Sequence, residues 1–130
     1  MDKKSKENIC AAKKLIEAGY YNSSIHCSYY ALFQYIVYVL DHRGVCSYTE
    51  QKEKTKDKGS HDFILRKLCS SIHNKRLSRD TLNLCYKLKK LRVRADYKTD
   101  RIKRTEAQQS LDEACGTIAK LEGYFSPNRG

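Results

Sequence analysis

Tyr21-Asn22-Ser23-Ser24-Ile25-His26-Cys27-Ser28-Tyr29-Tyr30-Ala31-Leu32-Phe33-Gln34-Tyr35-Ile36-Val37-Tyr38-Val39-Leu40 is the stretch on which the fold turns. Ile25, Tyr29, Leu32, Ile36 and Val39 recur at three- and four-residue spacing, the period of one helical face. Phe33, Val37 and Leu40 fill the remaining faces, and a helix that is apolar nearly all round must be central, packed by neighbours on several sides. The long apolar run, Tyr29 to Leu40, is interrupted by Gln34 and falls short of the ~20 residues a bilayer span requires, so no membrane insertion is expected.

Outward from this helix the same period continues. Upstream, Ile9, Ala12 and Ile16 form a stripe ending at Gly19, where a capping glycine belongs, giving a first helix over about Lys3 to Ala18. Downstream the pattern fails between Arg43 and Gly59. Gln51 to Lys58 offers nothing apolar to bury, and a mobile, solvated basic loop is predicted there. A third helix follows Ser60, with Ile64, Leu68 and Ile72 as its stripe. Ser78 is read as the cap of a fourth, lined by Leu84, Leu88, Leu91 and Ala95 and reaching about Tyr97. Thr105 is read as the cap of the last, with Leu111, Ala114, Ile118, Leu121 and Phe125 inside. One proline, six glycines and no alternating strand pattern leave a single all-α domain over residues 1–130, an antiparallel up-and-down bundle of four long helices plus one short helix.

The start, Met1 to Glu7, is charged and no apolar segment follows it, so a cytoplasmic protein is expected. The six cysteines, at 10, 27, 46, 69, 85 and 115, are never closer than sixteen positions. This excludes CxxC and zinc-type pairings, and they read as small buried hydrophobes in a reducing compartment. No metal or redox cofactor is indicated. The sequon at Asn22 is read as chance.

The formal net charge is +11, and it is concentrated. From Lys87 to Arg104 nine basic residues face only Asp96 and Asp100, which points to an anionic partner. Lys87, Lys90 and Arg94 share an outward stripe for which a solvated face is the alternative reading, while Lys89, Arg92 and Asp96 share the flank nearer the core. Asp96 stands at a helix end, where the macrodipole disfavours an anion, one turn after Arg92, so an i,i+4 pair with the guanidinium offsets its position. Ten tyrosines are present, and those of the central helix are first of all core. A buried tyrosine nevertheless needs a partner for its hydroxyl.

Arg92-Val93-Arg94-Ala95-Asp96-Tyr97 has the form RxxADY, and Ser28-Tyr29-Tyr30-Ala31-Leu32-Phe33 the form SYYAxF. Together with Ala12 to Tyr21, Gly59-Ser60-His61 and Thr105-Glu106-Ala107, these segments resemble the HEPN superfamily across nearly the whole chain. The resemblance implies a helical bundle that forms a homodimer, binds nucleotide or RNA, and acts in a toxin-antitoxin or defence system beside a minimal nucleotidyltransferase. It also implies that Tyr29 or Tyr30 lies near Arg92 and Asp96. The expected binding residues are therefore Tyr29, Tyr30, Lys89, Arg92, Arg94, Asp96 and Tyr97.

Active members carry Arg, four to six residues, then His as a metal-independent ribonuclease site. This chain departs from that pattern, since Arg92 is followed by Asp96 and Tyr97 and no histidine occurs after His73. A ribonuclease using Arg92 with Asp96 or Tyr97 in place of the histidine is the alternative to a pure binding module, although a carboxylate paired with arginine is a poor base. Arg66 and His73 match the motif by count and would share a face of the third helix, but on the wrong helix, and are read as coincidence. His26 and His61 are read as hydrogen-bonded structural residues.

Overall fold

A computed structural model of the chain describes residues 2–54, 60–97 and 101–126. Its elements are α1 (Lys3–Glu17), α2 (Tyr21–His42), α3 (Tyr48–Lys54), α4 (Ser60–Ser71), α5 (Lys75–Tyr97) and α6 (Arg104–Tyr124), with no strand among the described residues. The four long helices are α1, α2, α5 and α6, so the all-α bundle expected from the apolar period is the fold observed.

α2 touches each of the other five helices. Ile25, Ala31, Leu32, Ile36 and Leu40 are fully enclosed, and each large aliphatic side chain removed from water in this way contributes roughly 1.5–3 kcal/mol. α1 buries Ile9, Ala12 and Ile16 against it, and α6 buries Leu111, Ala114, Ile118 and Leu121. α1 stops at a Schellman cap: Tyr20 N–H donates to Leu15 C=O at 2.7 Å and Gly19 N–H to Ile16 C=O at 3.1 Å, with Gly19 at φ +85°. Gly44, at φ +71°, closes α2 in the same way through the N–H groups of Gly44 and Val45.

Four local expectations change. The stretch expected to be a solvated loop contains α3. Ser47 Oγ accepts from Glu50 N–H at 3.1 Å, Asp41 Oδ1 accepts from Tyr48 N–H at 2.9 Å, and the Gln51 amide is buried, donating to Val37 C=O and Cys46 C=O. A polar side chain is buried here because backbone carbonyls meet it. Residues 55–59 of that expected loop lie outside the described residues. α5 starts earlier than Ser78, because Asn74 Oδ1 takes the Leu77 N–H at 3.0 Å and Ser78 N–H is already bonded within the first turn. α6 is capped two residues ahead of the Thr105 reading, at Lys103: the Glu106 carboxylate accepts from Lys103 N–H at 3.1 Å. Finally, α4 ends at Ser71, so His73 is outside the helix and shares no helical face with Arg66; its N–H donates to the Tyr124 hydroxyl at 2.8 Å.

Candidate functional site

The site forms where the C-terminal end of α5 crosses the first half of α2. Asn22, near the start of α2, fastens this crossing. Its Nδ2 donates to Ala95 C=O in α5 and its Oδ1 accepts from Ile102 N–H just before α6, both at 3.1 Å. One side chain thereby joins three elements and fixes where Arg92 and Asp96 lie over α2.

Arg92 is held by three side chains at once. Its side chain is only 19 % exposed, and its Nη1 donates to Asp96 Oδ2 at 3.3 Å across one turn of α5. The guanidinium carbon lies 5.2 Å from the centre of the Tyr29 ring and 5.8 Å from that of Tyr30, within cation–π range of both. Tyr29 and Tyr30 meet edge-to-face at 4.9 Å, which sets the two rings as adjoining walls. Nε of Arg92 is buried with no hydrogen-bond partner among the described residues. Burial pushes the Tyr29 hydroxyl far above the ordinary phenol range, with the Arg92 charge opposing in part, so Tyr29 acts as a neutral wall.

His26 enters the same cluster from α2. Its Nδ1 is 3.6 Å from Asp96 Oδ2 and its ring is 4.7 Å from that of Tyr30, while nearly half of its side chain meets solvent. The Asp96 carboxylate therefore stands between a guanidinium and an imidazole. His61 is a second surprise. It is buried and its two ring nitrogens have no hydrogen-bond partner among the described residues; Nδ1 is 3.8 Å from Asp62 Oδ1, and the ring stacks on Tyr29 at 5.8 Å and Phe33 at 5.6 Å. It is a ring in an aromatic stack, not the hydrogen-bonded residue anticipated. Desolvation, reinforced by the Lys89 charge and offset in part by Asp62, lowers its pKa below the ordinary imidazole value.

Of the residues singled out from sequence, Tyr29, Tyr30, Arg92 and Asp96 come together. Lys89 and Arg94 instead line a groove between α5 and α6 with Lys87, Glu106 and Glu113. There the Lys87 ammonium pairs with Glu113 at 2.9 Å and Arg94 with Glu106 at 2.9 Å. The Lys103 backbone N–H and the Arg94 guanidinium hold the Glu106 carboxyl below the usual carboxylate range. Tyr97 is 76 % exposed at the end of α5. His26, read from sequence as a structural histidine, and Asn22, read there only as a chance sequon, are the residues the structure adds to the cluster. The available signal for His26 was its spacing of four from Tyr30; Asn22 carried none, because its partners lie 73 and 80 residues away.

Among the described residues no three His, Cys, Asp or Glu side chains are placed to hold a metal ion, and no helix is long and apolar enough to cross a membrane. All six cysteines are free thiols. The geometry defines a small helical domain with a half-buried arginine on two tyrosine faces. The family model for the HEPN domain matches residues 3–123, and the chain belongs to the HEPN family. No curated protein and no solved structure matches it.

Proposed function

We propose that the protein is a nucleotide- and RNA-binding module in which Arg92 is the phosphate contact. One observation carries the reading. The guanidinium is pre-oriented by two aromatic faces and one carboxylate, so only part of its five-donor fork is engaged. An arginine fixed in advance loses little further freedom on binding an anion, and the adjoining tyrosines offer flat apolar surface to a base. Membership of the HEPN family fits a nucleotide- or RNA-directed domain. From the same kinship we propose a homodimer acting with a minimal nucleotidyltransferase in a toxin-antitoxin or defence setting. Exposed Tyr86, Val93 and Tyr97 on α5 are apolar surface that a second copy would cover.

A ribonuclease is the second reading, and His26 favours it. If the RNA strand is cut, His26 rather than Asp96 or Tyr97 is the group suited to move the proton. An imidazole beside a carboxylate can take the 2′-hydroxyl proton as that oxygen attacks phosphorus and the P–O5′ bond breaks, with water protonating the departing 5′-oxygen, while Arg92 balances phosphate charge. The experiment is incubation of a labelled mixed-sequence RNA with wild type, Arg92→Ala and His26→Ala in EDTA, read for both complex and fragments. Binding that is lost in Arg92→Ala, without fragments, supports the module. Fragments lost in His26→Ala select the nuclease. Equal binding by wild type and Arg92→Ala contradicts both.

A further inference from the structure

We propose that the α1–α2 groove beside the Arg92 cluster is a nucleobase subsite for single-stranded RNA, an inference that rests on Arg92 as the phosphate contact. His26, Tyr30 and Gln34 follow at four-residue spacing and so share one face of α2; Lys4, Asn8 and Ala11 share one face of α1. With Glu7 these rows flank an open surface groove of about 380 Å³. That is near the lower end of ligand sites, which run from about 300 to 1,000 Å³, room for one base with its sugar. Two of its walls are already members of the arginine cluster: His26 lies 3.6 Å from Asp96, and the Tyr30 ring 5.8 Å from the Arg92 guanidinium carbon. The groove therefore shares His26 and Tyr30 with the arginine cluster.

Its chemistry is that of a base edge, not of a phosphate track. Lys4 and Glu7 oppose one another in charge, whereas Asn8 and Gln34 contribute two primary amides. An amide presents a donor and an acceptor side by side, the pattern that pairs with base edges, and a tyrosine ring takes the base plane by stacking. Asn8 Nδ2 already donates to Lys4 C=O at 3.1 Å, which leaves its carbonyl oxygen for a ligand donor. Gln34, half-buried on the α2 wall, has no hydrogen-bond partner among the described residues. A nucleotide whose phosphate meets Arg92 and whose base enters this groove uses both features in one pose.

The test compares two labelled strands of equal length, one a mixed-sequence RNA and one an abasic phosphodiester, titrated by fluorescence anisotropy into wild type, Gln34→Ala, Asn8→Ala and Arg92→Ala. Gln34→Ala weakens the RNA complex by about tenfold and Asn8→Ala by about threefold, and both leave the abasic strand within about twofold. RNA affinity unchanged in both amide variants, or loss on the abasic strand equal to loss on RNA, overturns the subsite. Arg92→Ala weakens both strands; if it weakens neither, the phosphate reading beneath the proposal fails instead. Gln34 and Asn8 are helix-surface positions where alanine is a strong helix former, and unchanged thermal unfolding of the two variants keeps the comparison valid.

Discussion

α5 has two sides, and they treat arginine differently. Toward α6, Arg94 lies 2.9 Å from Glu106, whose carboxylate also caps α6 through the Lys103 N–H, and Lys87 lies 2.9 Å from Glu113. These cations brace one helix to the next, each with an acidic partner on α6. Toward α2, Arg92 meets its carboxylate at 3.3 Å on its own helix and shares it with His26, while two tyrosine rings support the guanidinium. Both arginines keep a buried Nε without a hydrogen-bond partner among the described residues, so formal charge and the Nε environment do not separate them, although the Arg92 side chain is the less exposed, at 19 % against 37 %. The nature of the support does: Arg94 is held by a carboxylate at 2.9 Å, whereas Arg92 has a longer contact to a carboxylate that also meets His26, and two aromatic faces that orient the cation without neutralising it.

The largest effect should appear when each arginine is removed in turn. Arg92→Ala is expected to weaken RNA binding about 10- to 100-fold, the worth of one or two charge-assisted bonds, and Arg94→Ala less than threefold, both by anisotropy at fixed salt. Equal losses would erase the distinction between the two sides. Next comes the fastening of the α2 side. Asn22→Ala leaves Ala95 C=O and Ile102 N–H without their bond and is expected to cost about 1–3 kcal/mol, read by urea unfolding, with RNA affinity falling as Arg92 loses its register.

The aromatic stack beneath the site should also make stability depend on pH. His61 has a pKa lowered in the folded state, so below the ordinary imidazole value of about 6.5 the unfolded chain binds a proton that the folded chain resists. Its contribution is fully present above about pH 6.5 and falls as pH drops toward the folded value. The melting temperature of the wild type should therefore decline between pH 7 and pH 5, and His61→Phe should flatten that decline. An identical slope in both proteins would remove His61 as the cause. The smallest effect belongs to the α6 side: Lys87→Ala should change stability by no more than about 0.5 kcal/mol, since Lys87–Glu113 is a surface pair.

Much of this arrangement was legible in the chain because periodicity is local. The stripes Ile9-Ala12-Ile16 and Leu111-Ala114-Ile118-Leu121 are buried as their spacing requires, and Gly19 caps α1 where its position demanded. α3 was hidden because its only buried side chain is polar, although Ser47 and Glu50 already formed the S-x-x-E signature of a helix start. The Tyr29–Arg92–Asp96 grouping came through family resemblance. The entry of His26 and the clamp by Asn22 depend on contacts between α2 and the far end of α5, which no local pattern encodes.

The central claim is that orientation, not charge, makes Arg92 the anion site, and Arg92→Lys tests it most directly because the formal charge of +11 stays the same. A lysine cannot reproduce the planar fork or its stacking on Tyr29 and Tyr30. RNA affinity should fall about fivefold or more, in line with the loss of one charge-assisted contact, while the salt dependence of binding changes little. Wild-type affinity in Arg92→Lys would contradict the claim and reduce the site to one positive charge among many.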